Sequence, residues 1–350
     1  MAYAMIKNRT PISQRVIVSV FVGAIVNHLH HSNPVTISLY YNLSLISTMA
    51  TTIAEDKWKV NDIVFYVKST LPPAGIPTVA KLLFLHGFAG HVNRYNQLFN
   101  VLSSKGIEVF AFDQRGAGQT SPEKKDWGLT DEKMVFLDLE EIIKRRIEPE
   151  VVDDKTLIPW FMIGFSMGGG ICFNYAIKGQ HRKWFAGYIG ISPWVLLHPR
   201  ARPNPIVYQI LLGISKVYPR FQYFTGMDFN FLCRDPAEVQ DVKDDPMCNP
   251  VCTLKQMADT IERGRRLLDK NYCSNFVSRS VLIIHGDADK IVSYDASKEF
   301  IHTLPVKDKQ LVTIEGGYHE LPIELDRDRK KLHDELTGWI LDKSRGKMPN

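Results

Sequence analysis

The chain has little of what several protein classes require. No apolar run approaches the roughly 20 residues that a transmembrane helix needs. Its longest near the amino terminus, Val16 to Val26, holds eleven. No Lys/Arg-dense stripe marks a nucleic-acid face, and the basic excess is small, +5 from 43 Lys and Arg against 38 Asp and Glu. DNA and RNA are therefore not expected partners. Cysteines are few, five, and irregularly spaced at 172, 233, 248, 252 and 273. An odd, scattered set makes no disulfide framework, and reduced thiols in a cytosolic setting are expected. Cys248 and Cys252 lack a second ligand pair, so no zinc site is expected there. No repeat or low-complexity tract occurs. What is present is ordinary for a soluble globular protein: 45% hydrophobic and 23% charged residues in a chain of 350. That supports one large or two ordinary domains.

Residues 1–50 read apart from the rest as an N-terminal extension. Lys7, Arg9 and Arg15 precede the eleven-residue run, in the manner of a signal-peptide hydrophobic region. The run ends in Asn27-His28-Leu29-His30-His31, without a small-x-small cleavage site. Met49 would make a normal start for a cytosolic protein. A targeting segment, an extension upstream of the true start and a loosely docked tail remain three readings.

From residue 56 onward, short apolar runs alternate with helical patterns. Strands are expected at 63–67, 81–85, 109–112, 160–163, 186–191, 281–284 and 311–314. Helices are expected at 95–104, 131–146, 167–177, 294–303 and 326–343. Such alternation predicts a mostly parallel sheet covered by helices on both faces. Between about 194 and 275 the rhythm breaks, with no clear buried strand and an amphipathic helix expected at 253–270. An insertion after a strand's carboxyl end lies over the crevice where open α/β sheets bind ligands. The expected organisation is thus a core of 51–193 and 276–350 with a helical cap, or lid, at 194–275.

Gly164-Phe165-Ser166-Met167-Gly168 carries the chemistry. It follows an expected strand and opens an expected helix, the setting of the G-x-S-x-G nucleophile elbow. A turn this tight strains the serine backbone, and the flanking glycines let neighbouring chain pass without Cβ clashes. A serine hydroxyl is a poor nucleophile until a base takes its proton. His319, in the glycine-bearing loop after strand 311–314, is the expected base. The acid should follow strand 281–284, where Asp287 and Asp289 compete. Asp289 lies further into the loop and is preferred; Asp287 would stabilise the turn, and His285 is read as structural. The oxyanion needs two backbone N–H donors. Met167 supplies one, and Phe88, in the loop His86-Gly87-Phe88-Ala89-Gly90-His91, is expected to supply the other. His86 is expected to bond backbone and hold that loop.

These residues, with Asp113-Gln114-Arg115-Gly116-Ala117-Gly118, Asp245-Pro246 and Gly317-Tyr318-His319, resemble the monoacylglycerol lipases, the fungal members in particular. The resemblance spans about residues 55–345. It implies an α/β-hydrolase whose helical cap opens an apolar channel. It implies cleavage of monoacylglycerol or a related lipid ester to glycerol and a fatty acid, with Ser166, Asp289 and His319 as triad and no cofactor or metal. The family's loop commonly reads His-Gly-x-Gly-Glu-His. Here Ala89 and Gly90 replace the second glycine and the glutamate, an acidic position that lies near the glycerol end in relatives. Arg94 is retained as a substrate-binding candidate, with a structural role as the alternative. Residues 203–223 are apolar around most of the helix, and such a surface must be buried in protein or at a bilayer interface. Leu211 and Ile214 are its lipid-contacting candidates, and a cytoplasmic protein peripheral on lipid droplets or membranes is expected. A broader carboxylesterase or lysophospholipase, an acyltransferase and a non-catalytic ligand receptor are the competing readings.

Overall fold

The computed structural model describes residues 51–152 and 158–345. The expectations attached to residues 1–50 lie outside the described residues. The central sheet has eight strands in the order β1-β2-β4-β3-β5-β6-β9-β10. These are β1 (Thr52–Val60), β2 (Ile63–Leu71), β3 (Ala80–Leu85), β4 (Ile107–Phe112), β5 (Trp160–Phe165), β6 (Phe185–Ile191), β9 (Ser280–Gly286) and β10 (Asp308–Ile314). From β4 to β10 every neighbouring pair is parallel; β1 and β2 join antiparallel at one edge.

The central strands are short apolar runs buried along their whole length. Because successive side chains point to opposite faces, each run feeds two cores. Leu83, Phe110, Met162 and Ile283 pack beneath α2 (Glu132–Val152), α3 (Met167–Lys178) and α8 (Tyr294–Thr303). Leu82, Val109, Ile163 and Leu282 pack beneath α1 (Asn96–Ser104) and α9 (Asp326–Arg345). Full burial of one such side chain is worth about 1.5–3 kcal/mol, so the helices on both faces are fixed by the sheet they cover. α2 continues six residues beyond its expected end, through Pro149.

β1 was not foreseen. Its side chains are exposed over most of its length and carry Glu55, Asp56, Lys57 and Lys59, so no apolar alternation marks it. It forms because Val60 pairs with Ile63 across a two-residue turn in which Asn61 takes φ +53°, a conformation asparagine tolerates.

The chain leaves the sheet after β6 and returns at the neighbouring β9. The intervening segment holds α4 (Pro205–Val217), β7 (Gln222–Phe224), α5 (Pro236–Asp244), β8 (Val251–Thr253), α6 (Leu254–Arg266) and α7 (Lys270–Cys273). β7 and β8 pair with each other and not with the main sheet. Three helix starts are set locally. Asn204, Asp235 and Thr253 accept hydrogen bonds from the N–H of Ile206, Ala237 and Gln256, and the first two precede a proline at the opening helical position. Among the described residues no helix is long and apolar enough to cross a membrane.

Candidate active site

β5 delivers the chain to Ser166 and α3 begins at the next residue. Ser166 takes φ +51° and ψ −116°, a conformation that costs a non-glycine residue about 1–3 kcal/mol. The turn is pinned from both sides: Ser166 N–H donates to Ile191 O at 3.0 Å, and Trp194 N–H donates to Ser166 O at 2.8 Å. The flanking glycines are steric requirements. A Cβ on Gly164 would stand 2.2 Å from Gly168 O, and one on Gly168 2.2 Å from Leu85 O.

Three loops at the carboxyl ends of strands meet here. Ser166 Oγ lies 2.9 Å from His319 Nε2, and His319 Nδ1 lies 2.7 Å from Asp289 Oδ2. A carboxylate can only accept, so Nδ1 carries the proton and Nε2 is free to receive one from the serine. All three side chains are buried. Asp289 Oδ1 accepts from the N–H of Ile291 and Val292 at 2.7 and 3.0 Å. Its Oδ2 also accepts from His285 Nε2, at 3.0 Å, while Ser297 Oγ lies 2.9 Å from the other ring nitrogen. Burial alone would raise the Asp289 carboxyl; the facing His319 and His285 outweigh it and hold it well below the usual range.

Asp287 turns away: its Oδ1 accepts from Gly316 N–H at 2.6 Å. His285, read as structural, touches the acid directly. Its four-residue spacing from Asp289 was visible in the sequence, but no rule of helix or strand spacing connects residues across a strand end.

The loop after β3 is held by His86, which is fully buried. Gln114 N–H donates to His86 Nε2 at 2.9 Å, so His86 Nδ1–H donates to Gly87 O at 2.8 Å. Burial lowers the His86 pKa, in keeping with this neutral tautomer. Ala89 adopts φ +57°, the left-handed region that glycine occupies at less cost. The amides of Phe88 and Met167 have no hydrogen-bond acceptor among the described residues. Both residues line the same cleft.

Phe88 also lines a small chamber that Ser166 and His319 border. Through Phe88, Trp194, Met227 and Ile291 this chamber adjoins a larger cleft of about 1240 Å³, rich in apolar side chains. Leu211 lines that cleft. Ile214 does not; it is 41% exposed on the outer side of α4. Arg94 lies in the chamber and donates to Glu320 Oε1 at 3.0 Å. Glu320 was not singled out in the sequence.

Among the described residues one group offers nitrogen, oxygen and sulfur ligands together: His91, Asp245 and Cys248, with atoms within 4.8 Å of one another. His91 Nε2 already bonds Asp245 Oδ2 at 2.8 Å, and Arg94 Nη1 stands 3.6 Å from Cys248 Sγ. A divalent cation there would face a guanidinium, so the set is a poor metal site. The cysteines at 172, 233, 248, 252 and 273 are free and buried.

The family described as serine aminopeptidase, S33, matches residues 77–326. Over 266 residues the chain is 36% identical to the monoglyceride lipase of Saccharomyces cerevisiae, covering 74% of this chain and 84% of that relative. The chain belongs to the monoglyceride lipase family. The human monoglyceride lipase is 27% identical over 276 residues, 77% of this chain and 84% of its own length. A crystal structure of a soluble variant of the Saccharomyces cerevisiae enzyme, in complex with a substrate analog, superposes with a TM-score of 0.78 at 33% identity, covering 85% of this chain and 97% of that one. The monoacylglycerol lipase of Paleococcus ferrophilus, at 23% identity and a TM-score of 0.68, shares the α/β-hydrolase fold.

Proposed function

We propose that this chain is a serine hydrolase that cleaves monoacylglycerol to glycerol and a fatty acid through an acyl-serine intermediate. The observation that carries the reading is the hydrogen-bonded chain Ser166–His319–Asp289 set in a chamber that adjoins an apolar cleft. Ser166 Oγ attacks the ester carbonyl as His319 Nε2 takes its proton. The N–H groups of Phe88 and Met167 receive the oxyanion, and the loss of one such donor costs on the order of a hundredfold in turnover. His319 returns the proton to the leaving glycerol. Water, activated by the same imidazole, then releases the fatty acid. Asp289, kept ionised, orients His319 and balances its charge during both steps. The second reading is a peptidase, because the matching family carries that description. The apolar cleft beside Ser166 favours a long acyl group over a peptide.

We assign residues 51–193 and 276–350 to the catalytic core and 194–275 to a cap over it. The outer side of α4 presents Ile206 at 71% and Val217 at 70% exposure, with Val207, Ile210 and Ile214 also exposed. A contiguous apolar face of this kind is costly in water. It supports docking on a membrane or lipid-droplet surface, from which a monoglyceride could enter the cleft that Leu211 lines.

The test is fatty-acid release from monooleoylglycerol, lysophosphatidylcholine and p-nitrophenyl butyrate by wild type and Ser166→Ala. Release from the monoglyceride should exceed that from lysophosphatidylcholine and fall by on the order of 10⁴-fold or more in the variant. Cleavage of the short ester alone would overturn the lipid assignment.

A further inference from the structure

The segment between β6 and β9 divides by charge. No Asp or Glu occurs from residue 158 to residue 227. Around α4 that span carries Arg200, Arg202, Lys216 and Arg220, all exposed. The stretch that follows turns acidic, with Asp228, Asp235, Glu238, Asp241, Asp244 and Asp245 against Arg234 and Lys243. Among the described residues, none of the four basic side chains around α4 forms an ion pair. Arg202 Nε donates to Leu197 O at 2.7 Å, and the Arg200 guanidinium lies over the Phe231 ring, 4.3 Å from its centroid. Arg234, by contrast, is held by Glu324 and Asp328. In α6, which packs against α4, the acids are already paired, Asp259 with Lys255 and Glu262 with Arg265.

The unpaired cations border the apolar face of α4 and do not interrupt it. Ile206, Ile210, Ile214 and Val217 recur at helical spacing and form one stripe. At about 100° per residue, Lys216 falls on the flank of that stripe, on the same side as Gln209. Arg220 lies just past the helix between Tyr218 and Phe221, which are 64% and 60% exposed. Arg200 and Lys290 line the apolar cleft with Leu211, against one acid, Asp228. A helix lying in a membrane interface buries its apolar stripe while long basic side chains reach back to the head groups. Burial of the stripe does not tell one phospholipid from another. A basic margin does, because a negative surface attracts each Lys or Arg that comes within about a Debye length.

We propose that α4 and its basic margin dock the protein on an anionic phospholipid membrane in preference to a zwitterionic one. The proposal rests on the reading of α4 as a lipid-docking face and names the lipid that this face selects. With Arg200 and Lys290 at head-group level, the cleft opens toward the lipid from which the monoglyceride is drawn.

The experiment measures partitioning of the full chain onto vesicles of phosphatidylcholine alone and of phosphatidylcholine with about 30% phosphatidylserine. Wild type should favour the anionic vesicles by roughly tenfold or more, and raising NaCl from about 0.05 to 0.5 M should remove most of that preference. The double variant Lys216→Gln, Arg220→Gln should lose roughly tenfold on anionic vesicles, stay within about twofold of wild type on phosphatidylcholine, and hydrolyse soluble p-nitrophenyl butyrate as wild type does. Equal wild-type partitioning onto the two vesicles overturns the proposal, and so does a preference that salt leaves intact. Binding to phosphatidylcholine-coated triolein droplets as strong as to the anionic vesicles assigns the face to a neutral droplet and overturns it too. Should the double variant fail to fold, the salt dependence of the wild type decides on its own. The two levels of failure are separable. A wild type that binds no lipid surface refutes the docking reading as well, whereas one that binds every surface alike refutes only the selection by charge.

Discussion

The sheet with its covering helices and the segment inserted between β6 and β9 solve the problem of apolar surface in opposite ways. In the first, the large side chains are inside: β3, β4, β5 and β9 are buried from end to end. In the second, a thirteen-residue helix, α4, buries only Tyr208 and Ser215 and leaves isoleucines and valines in solvent. The glycines show the same contrast. A Cβ at Gly168 would enter van der Waals space already filled by backbone, while a Cβ at Gly213 in α4 would meet nothing within 4 Å. One region is packed to hold Ser166, His319 and Asp289 within hydrogen-bond reach of one another. The other leaves an apolar face in solvent.

Three variants sharpen or break this contrast, in descending size of effect. Gly168→Ala must move either α3 or the end of β3, and should cost about 3 kcal/mol of stability, read as a drop in the chemical denaturation midpoint. A change near zero would mean that the elbow is less tightly packed than its geometry indicates. Replacing Ile206 and Ile210 together by Asp should lower partitioning onto phosphatidylcholine vesicles by about tenfold or more, since each buried aliphatic chain contributes about 1.5–3 kcal/mol. Unaltered sedimentation with vesicles would remove the lipid-surface role of α4. Gly213→Ala should stabilise the protein by up to about 1 kcal/mol, because an exposed helix interior gains propensity and meets no clash. A loss of stability there would show that the outer side of α4 is covered in solution.

The alternation of apolar runs made the parallel sheet legible, and α8 lies at 294–303 as its pattern predicts. The elbow was legible too, because a strand, a serine between glycines and a helix form one local unit. Asp289 over Asp287 was a weaker inference. It depends on which carboxylate turns inward, and Gly316, twenty-nine residues from Asp287, decides that. β1 was not legible because its pairing comes from the turn and from β2, not from its own side chains. Glu320 was invisible for a related reason. Its partner, Arg94, is 226 residues away, and adjacency to His319 says nothing about the direction of a side chain. Spacing rules describe one element at a time, whereas a chamber is walled by several.

The charges on β1 have a consequence beyond their own strand. A sheet that ends in an open edge offers unpaired N–H and C=O groups to any other strand that drifts near. β1 presents Glu55, Asp56, Lys57 and Lys59 at one margin, and β10 presents Asp308 and Lys309 at the other. Bringing a second copy's edge alongside would strip these charges of water. Charged margins of this kind oppose edge-to-edge pairing between copies of the chain.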